Sequence, residues 1–294
     1  NCKKKMKRLW ISSMEDSAIK DGFDNLKDGS FYDNLFESAQ ARAIADWLVG
    51  MNLSRLYSCL YKQNYSVGRV QTPTLAMIVK RDDDIANFKK EKYFTVELDL
   101  DGFSLSTDRI DDKAVAEQLI NLLGNSIEIT DVIQKEKVTK SELPFDLTTL
   151  QRECNKYFGY SAKQTLDYAQ SLYEKKLITY PRTDSRCLTE DMITSTVNNI
   201  LGKNDFDTGR IKTVFNSKKV TDHHAIIPTV SSLSEDLSGI PESEAKVYRL
   251  ISNKLHASVG YPLVESTTKI VAEFDGFEFT SSGKVIKDEG FTKY

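Results

Sequence analysis

The chain has 294 residues, of which 40% are hydrophobic and 10% aromatic, enough for two or three ordinary domains and too apolar for a disordered chain. Lys and Arg number 40 against 43 Asp and Glu, a net charge of -3, so bulk charge does not announce a polyanionic partner; phosphate is bound by local patches, which net charge does not report. No apolar run approaches the roughly 20 residues of a membrane helix, and the basic start Asn1-Cys2-Lys3-Lys4-Lys5 has no apolar stretch behind it, which excludes a secretory signal there. The four cysteines, Cys2, Cys59, Cys154 and Cys187, form no CxxC pair, so a structural zinc site is not expected and reduced thiols of a cytoplasmic protein are.

In chain order, Phe36 to Tyr61 reads as a helix from the spacing of Ala41, Ile44, Ala45, Leu48 and Leu56, with Gly50 as an interruption. A second helix is predicted from Val70 to Ile85, with Pro73 tolerated only near its start. The period then falls to two: Phe94, Val96, Leu98 and Leu100 alternate with polar residues and run into Asp101-Gly102, a hairpin signal. The same phrase returns as Val271 to Phe274, Asp275-Gly276 and Phe277 to Thr280. These are predicted to be two hairpins of one β-rich domain, with residues 144–262 inserted between them.

The insert is predicted to be mainly helical. Leu147 to Phe158 carries an apolar face and stops at Gly159, after which Ser161 caps a second helix with Ala162, Leu166, Ala169, Leu172 and Tyr173 on one side. A helix, a Gly-containing turn and a second helix resemble a helix-turn-helix or winged-helix unit. Thr189–Leu201 and Pro241–His256 are expected to supply two more helices, with Pro241 at the first helical position.

Three stretches could carry chemistry. In Leu177-Ile-Thr-Tyr180-Pro-Arg182-Thr-Asp-Ser185, Pro181 pushes Tyr180 out of helical geometry, and Arg182, two residues on, lies to the same side of an extended segment. A phenol beside a guanidinium suits a nucleophile with a phosphate clamp; read alone, such a string more often marks a packed tyrosine and a solvated arginine. In Thr221-Asp222-His223-His224-Ala-Ile-Ile-Pro-Thr229, a histidine could move protons or bind phosphate, although a surface pair serves equally well as a reading. In Tyr65-Ser66-Val67-Gly68-Arg69-Val70-Gln71-Thr72, a glycine before a helix allows close backbone approach, and free N–H groups at a helix start attract phosphate; a simple capped loop is the alternative.

Taken together, these stretches resemble the type IA DNA topoisomerases, and among them the topoisomerase III branch, over nearly the whole chain from Leu9 to Tyr294. Arg42-Ala-Ile-Ala-Asp46-Trp-Leu-Val-Gly50 with Ser66-Val67-Gly68-Arg69-Val70-Gln71 is similar to the family's single-strand groove, Ile178–Ser185 to its active-site signature, and Asp222–Thr229 to its histidine motif. The resemblance implies that Tyr180 attacks a backbone phosphorus to give a 5′-phosphotyrosine and a free 3′-hydroxyl. It gives Arg182 the charge developing on the phosphoryl group and His223 rather than His224 the supporting role, while Arg42, Asp46, Ser66, Val67, Gly68, Arg69, Val70 and Gln71 hold a single DNA strand.

It also implies an α+β multi-domain fold. Residues 1–13 would be a remnant of the Toprim domain, 14–88 a helical strand-binding domain, 89–143 with 263–294 a discontinuous β-rich gate or hinge, and 144–262 an inserted, winged-helix-like domain bearing the tyrosine. The family's Mg²⁺-binding acidic cluster is absent here, and Asp82-Asp83-Asp84 does not match it, so the ligands are expected in a missing Toprim domain and no metal is expected on this chain. The reading is then of a chain trimmed at both ends, inactive in relaxation by itself, monomeric, cytoplasmic and nucleoid-associated. Two alternatives remain in other classes: a non-catalytic single-stranded nucleic-acid-binding protein, and a tyrosine recombinase, against which stands the position of the histidines after Tyr180.

Overall fold

The computed structural model describes residues 4–11, 16–124, 126–202, 206–233 and 239–294. The ends of the expected Toprim remnant, and its boundary at residue 14, lie outside the described residues. By packing, the chain divides into two compact units: residues 1–9 with 25–93, and residues 10–24 with 94–294.

The first unit starts with strand β1 (Lys7–Arg8); helix α1 (Asp16–Asp24) follows in sequence but packs with the second unit, to which Lys176 ties it through an ion pair with Asp16 at 2.8 Å. Strand β2 (Lys27–Asp28) then returns antiparallel to β1, pairing Lys7 with Asp28. Helix α2 (Asp33–Tyr61) ends where Lys62 turns left-handed (φ 53°), and helix α3 (Gln71–Ala86) follows with Pro73 in its first turn, where a missing N–H costs nothing. Neither α2 nor α3 buries any residue: Trp47, Leu60, Leu75 and Met77 are all more than half exposed.

The second unit holds a five-stranded antiparallel sheet and a helical part. Strands β3 (Glu97–Leu100) and β4 (Phe103–Thr107) form a hairpin around Asp101-Gly102, and helix α4 (Lys113–Leu122), capped by the Asp112 carboxylate, precedes strand β5 (Ile129–Thr139). The helical part carries α5 (Leu147–Phe158), α6 (Ala162–Glu174), the single turn α7 (Ile193–Ser195), α8 (Thr208–Val214) and α9 (Glu242–Val259). Strands β6 (Leu263–Phe274) and β7 (Phe277–Asp288) close the sheet in the order β3-β4-β7-β6-β5.

Both Asp-Gly hairpins therefore belong to one sheet, joined by β4 and β7 through Ser106–Thr280 and Thr107–Phe279. At the second turn Asp275 (φ 50°) and Gly276 (φ 78°) are both left-handed, the geometry whose twist matches paired strands. The sheet's core is Val96, Leu105, Ile110, Ala272 and Phe279, covered by Ala116 and Leu119 of α4.

Helices α5 and α6 each begin with a full capping box, Asp146 with Thr149 and Ser161 with Gln164, and α5 stops at left-handed Gly159 (φ 70°). Their apolar faces meet α9 around Leu150, Cys154, Ala169, Leu172, Val247 and Ile251. The segment expected as a helix over 189–201 is instead a 3-10 turn, the single turn α7 and a π-helical turn, with Ile200 and Leu201 pulled into a second core beside Val214, Phe215, Leu255 and Val259. Pro241 stands at the N-cap of α9, one place before the expected first helical position, in an extended conformation (ψ 143°) that a residue inside the helix cannot hold.

Candidate active site around Tyr180

Helix α6 ends through Lys176 in the left-handed region (φ 61°), and the Leu177 N–H returns to the Leu172 carbonyl at 2.9 Å. The chain that leaves it is extended and pinned to the histidine stretch. The Thr179 N–H donates to the Ile227 carbonyl and the Thr229 N–H to the Leu177 carbonyl. The Thr179 hydroxyl donates to the Ala225 carbonyl at 3.1 Å and accepts from the Ile227 N–H at 3.0 Å; the Thr183 hydroxyl donates to the His223 carbonyl at 2.9 Å.

The pinning sorts the side chains by parity, as an extended backbone must. Thr179, Pro181, Thr183 and Ser185 are buried, whereas Tyr180 is half-buried and Arg182 and Asp184 are exposed. Arg182 takes part in no ion pair among the described residues, so its guanidinium is available to an anion. Asp184 accepts from the Thr221 hydroxyl at 2.6 Å, a further tie between the two stretches.

Adjacent histidines point apart. His224 is buried, its Nδ1 2.8 Å from the Ala225 carbonyl, and burial above all holds its pKa below the ordinary imidazole value. His223 faces Tyr180, ring centroids 4.6 Å apart with planes at 50°. Burial pushes the His223 pKa down against the opposing charge of Asp222, which favours a neutral ring. Its Nδ1 is buried without a hydrogen-bond partner.

Two aromatic residues that sequence reasoning missed complete the cluster. Tyr173 of α6 meets Tyr180 edge-on at 5.3 Å, and Trp10 stacks on His223 at 5.8 Å with planes 15° apart. The helical register of Tyr173, seven residues before Tyr180, was a weak signal; for Trp10 there was none beyond its place in the expected Toprim remnant.

The other candidate residues belong to the first compact unit and form a site of their own. Arg42, Asp46, Gly50, Ser54 and Ser58 recur every four residues along α2, and the loop before α3 runs antiparallel to that stripe. The Tyr65 N–H donates to the Ser58 hydroxyl at 3.0 Å and the Val67 N–H to the Ser54 hydroxyl at 2.9 Å. A Cβ on Gly50 would stand 3.4 Å from the Val67 carbonyl oxygen, so the loop lies close over the glycine. Asp46 then holds Arg69 at 2.7 Å and the Gln71 amide donates to the Ser66 hydroxyl at 2.8 Å.

Of the N–H groups around the start of α3, that of Gly68 donates to the Thr72 hydroxyl and that of Thr72 to the Gly68 carbonyl, each at 3.1 Å. Val70 is exposed, and Arg42 lies on the exposed surface of α2. Sequence reasoning missed Ser54 and Ser58, whose four-residue spacing gains a meaning only with the loop laid along α2. The described residues contain no group of three or more His, Cys, Asp or Glu placed to hold a metal ion.

With this geometry in place, comparison identifies the kind of protein. The profile of a family described as DNA topoisomerase matches residues 30–294, and the chain belongs to that family. It is 43% identical to DNA topoisomerase 3 of Bacillus licheniformis over 98% of this chain and 42% of that protein. It is 39% identical to DNA topoisomerase 3 of Bacillus subtilis over 99% of this chain and 43% of that one. The chain thus spans about two-fifths of the length of the curated relatives it matches. The solved structure of full-length topoisomerase I from Thermotoga maritima superposes with a TM-score of 0.79 at 25% identity, covering 97% of this chain and 49% of that one.

Proposed function

We propose that the chain forms the strand-cutting part of a type IA DNA topoisomerase of the topoisomerase III branch. The observation that carries this reading is the half-buried Tyr180 held against His223 beside an exposed Arg182 that makes no ion pair among the described residues. The Tyr180 oxygen attacks a backbone phosphorus of a single DNA strand; the bond from phosphorus to the 3′ oxygen breaks, and that oxygen leaves as a 3′-hydroxyl after taking a proton. Arg182 neutralises the charge gathering on the phosphoryl oxygens. His223, kept neutral by burial, is suited to receive the phenol proton rather than to act as a cation. Attack by the 3′-hydroxyl on the phosphotyrosine reseals the strand without ATP.

Arg42, Asp46, Ser66, Val67, Gly68, Arg69, Val70 and Gln71 grip the strand. Hydroxyl and amide donors with the guanidiniums of Arg42 and Arg69 suit the acceptor oxygens of the phosphate backbone better than base edges. The described residues do not fit the Mg²⁺ of the intact family. The reading places residues 14–88 in the strand-binding domain, 89–143 with 263–294 in the hinge, and 144–262 in the movable domain. It makes the protein a cytoplasmic, DNA-associated monomer; among the described residues no helix is long and apolar enough to cross a membrane.

The test is to graft the chain into the Bacillus licheniformis relative in place of the matching stretch and incubate it with a single-stranded oligonucleotide labelled at either end. A 3′ label should travel with the denatured protein and a 5′ label should be released. A 5′ label retained on the protein, or no adduct at all, overturns the proposal.

A further inference from the structure

Histidine rings in working sites are usually oriented by a hydrogen bond to one ring nitrogen, which fixes both tautomer and plane. His223 lacks that restraint at Nδ1, which is buried and unpartnered. Packing against a neighbouring ring is then what can hold its plane from the Nδ1 side, and Trp10 supplies that ring. The indole lies nearly parallel to the imidazole, 15° between planes and 5.8 Å between centroids. The indole is itself fixed, because its N–H donates to the Asp222 carbonyl at 3.1 Å, one residue before the histidine. His223 thus has both its own ring and the backbone beside it touched by a single side chain.

We infer that Trp10 is a positioning residue of this site: its indole, pinned to the Asp222 carbonyl, holds the His223 imidazole in register with the Tyr180 phenol. This rests on the reading of Tyr180 and His223 given above. Trp10 is also the first residue of the second compact unit, directly after the first unit's β1 segment, so the restraint enters the site from a chain segment remote in sequence from both motifs. The titratable groups beside His223 are Asp222, His224 and Tyr180.

Three variants separate plane, hydrogen bond and bulk. Trp10→Leu keeps apolar bulk without a plane, Trp10→Ala removes both, and Trp10→Phe keeps a ring without the N–H. In the 294-residue chain, NMR would follow the His223 titration and the cross-relaxation between the His223 and Tyr180 rings. Trp10→Leu and Trp10→Ala should lose that cross-relaxation and raise the His223 pKa toward the ordinary imidazole value, with Trp10→Phe restoring part of both. In the grafted enzyme, Trp10→Leu should slow adduct formation by about tenfold or more, the scale on which small misplacements act, while oligonucleotide affinity stays within about twofold. A Trp10→Leu protein with native cross-relaxation, titration and cleavage rate overturns the inference. If Trp10→Ala does not fold, the Leu and Phe variants decide it. Tyr180→Phe in the same graft reads the underlying assignment separately: a surviving adduct there removes the catalytic reading whatever the NMR result.

Discussion

The hydroxyl of Thr183 donates to the backbone carbonyl of His223 across 40 residues of sequence, at 2.9 Å. That bond and the paired bonds of Thr179 tie the tyrosine and histidine stretches together, with buried threonines on one side and Tyr180 and Arg182 on the other. The site's geometry is thus a property of buried hydroxyls that touch no substrate.

Thr179→Val tests this directly. The hydroxyl donates to Ala225 and accepts from Ile227, and its residue is 3% exposed, so valine keeps the shape and strands a buried carbonyl and N–H. A loss of about 1–3 kcal/mol is expected in urea unfolding, with Thr179→Ser near native. A native-like valine variant would show that these bonds do not hold the two stretches together.

Tyr180→Phe should abolish adduct formation in the grafted enzyme while leaving the fold and the affinity for a single strand unchanged. The phenol makes no hydrogen bond among the described residues that its loss would strand, and the ring contacts with Tyr173 and His223 persist in phenylalanine. Circular dichroism and fluorescence anisotropy beside the cleavage gel check all three.

The two histidines make the protein acid-sensitive. Burial lowers both pKa values below the ordinary 6.5, so the unfolded chain binds protons in a range where the folded one does not. Stability is complete above 6.5 and should fall as pH drops from 6.5 toward the depressed folded values. Urea midpoints measured across that range should show the slope, and His224→Gln should flatten it. A slope that rises on acidification contradicts the burial of neutral His224.

Arg69 is held by Asp46 at 2.7 Å, but the pair is exposed and contributes little to stability. Arg69→Ala should therefore leave unfolding unchanged while weakening single-strand binding about equally across sequences. The salt slope should shrink by roughly 0.7, the value of one phosphate contact on a single strand. Anisotropy on several oligonucleotides at varied salt measures it; an unchanged slope means the loop does not hold the strand.

Local signals carried much of this protein. The Asp-Gly turns fixed both hairpins because left-handed backbone at Asp275 and Gly276 is a local preference. Ser161 marked a helix start because capping is settled within three residues. Tyr180, Pro181 and Arg182 stood out because proline alone dictates an extended segment, and parity then follows.

Other features depended on contacts between distant segments. Which histidine faces the phenol follows from how residues 223–229 pair with 177–183, a register that neither stretch contains by itself. The irregular turns of 190–201 arise because Ile200 and Leu201 must reach a core built by Val214, Leu255 and Val259. The loop bonds of Ser54 and Ser58 needed the loop laid along α2 before their spacing acquired a meaning. Trp10 is the extreme case: its stretch resembles a Toprim strand and nothing in it points to His223, and its place against that ring exists only because the chain brings together residues more than two hundred positions apart. Local backbone preference is written residue by residue; the partner of a buried ring is decided by packing, to which every segment of the core contributes.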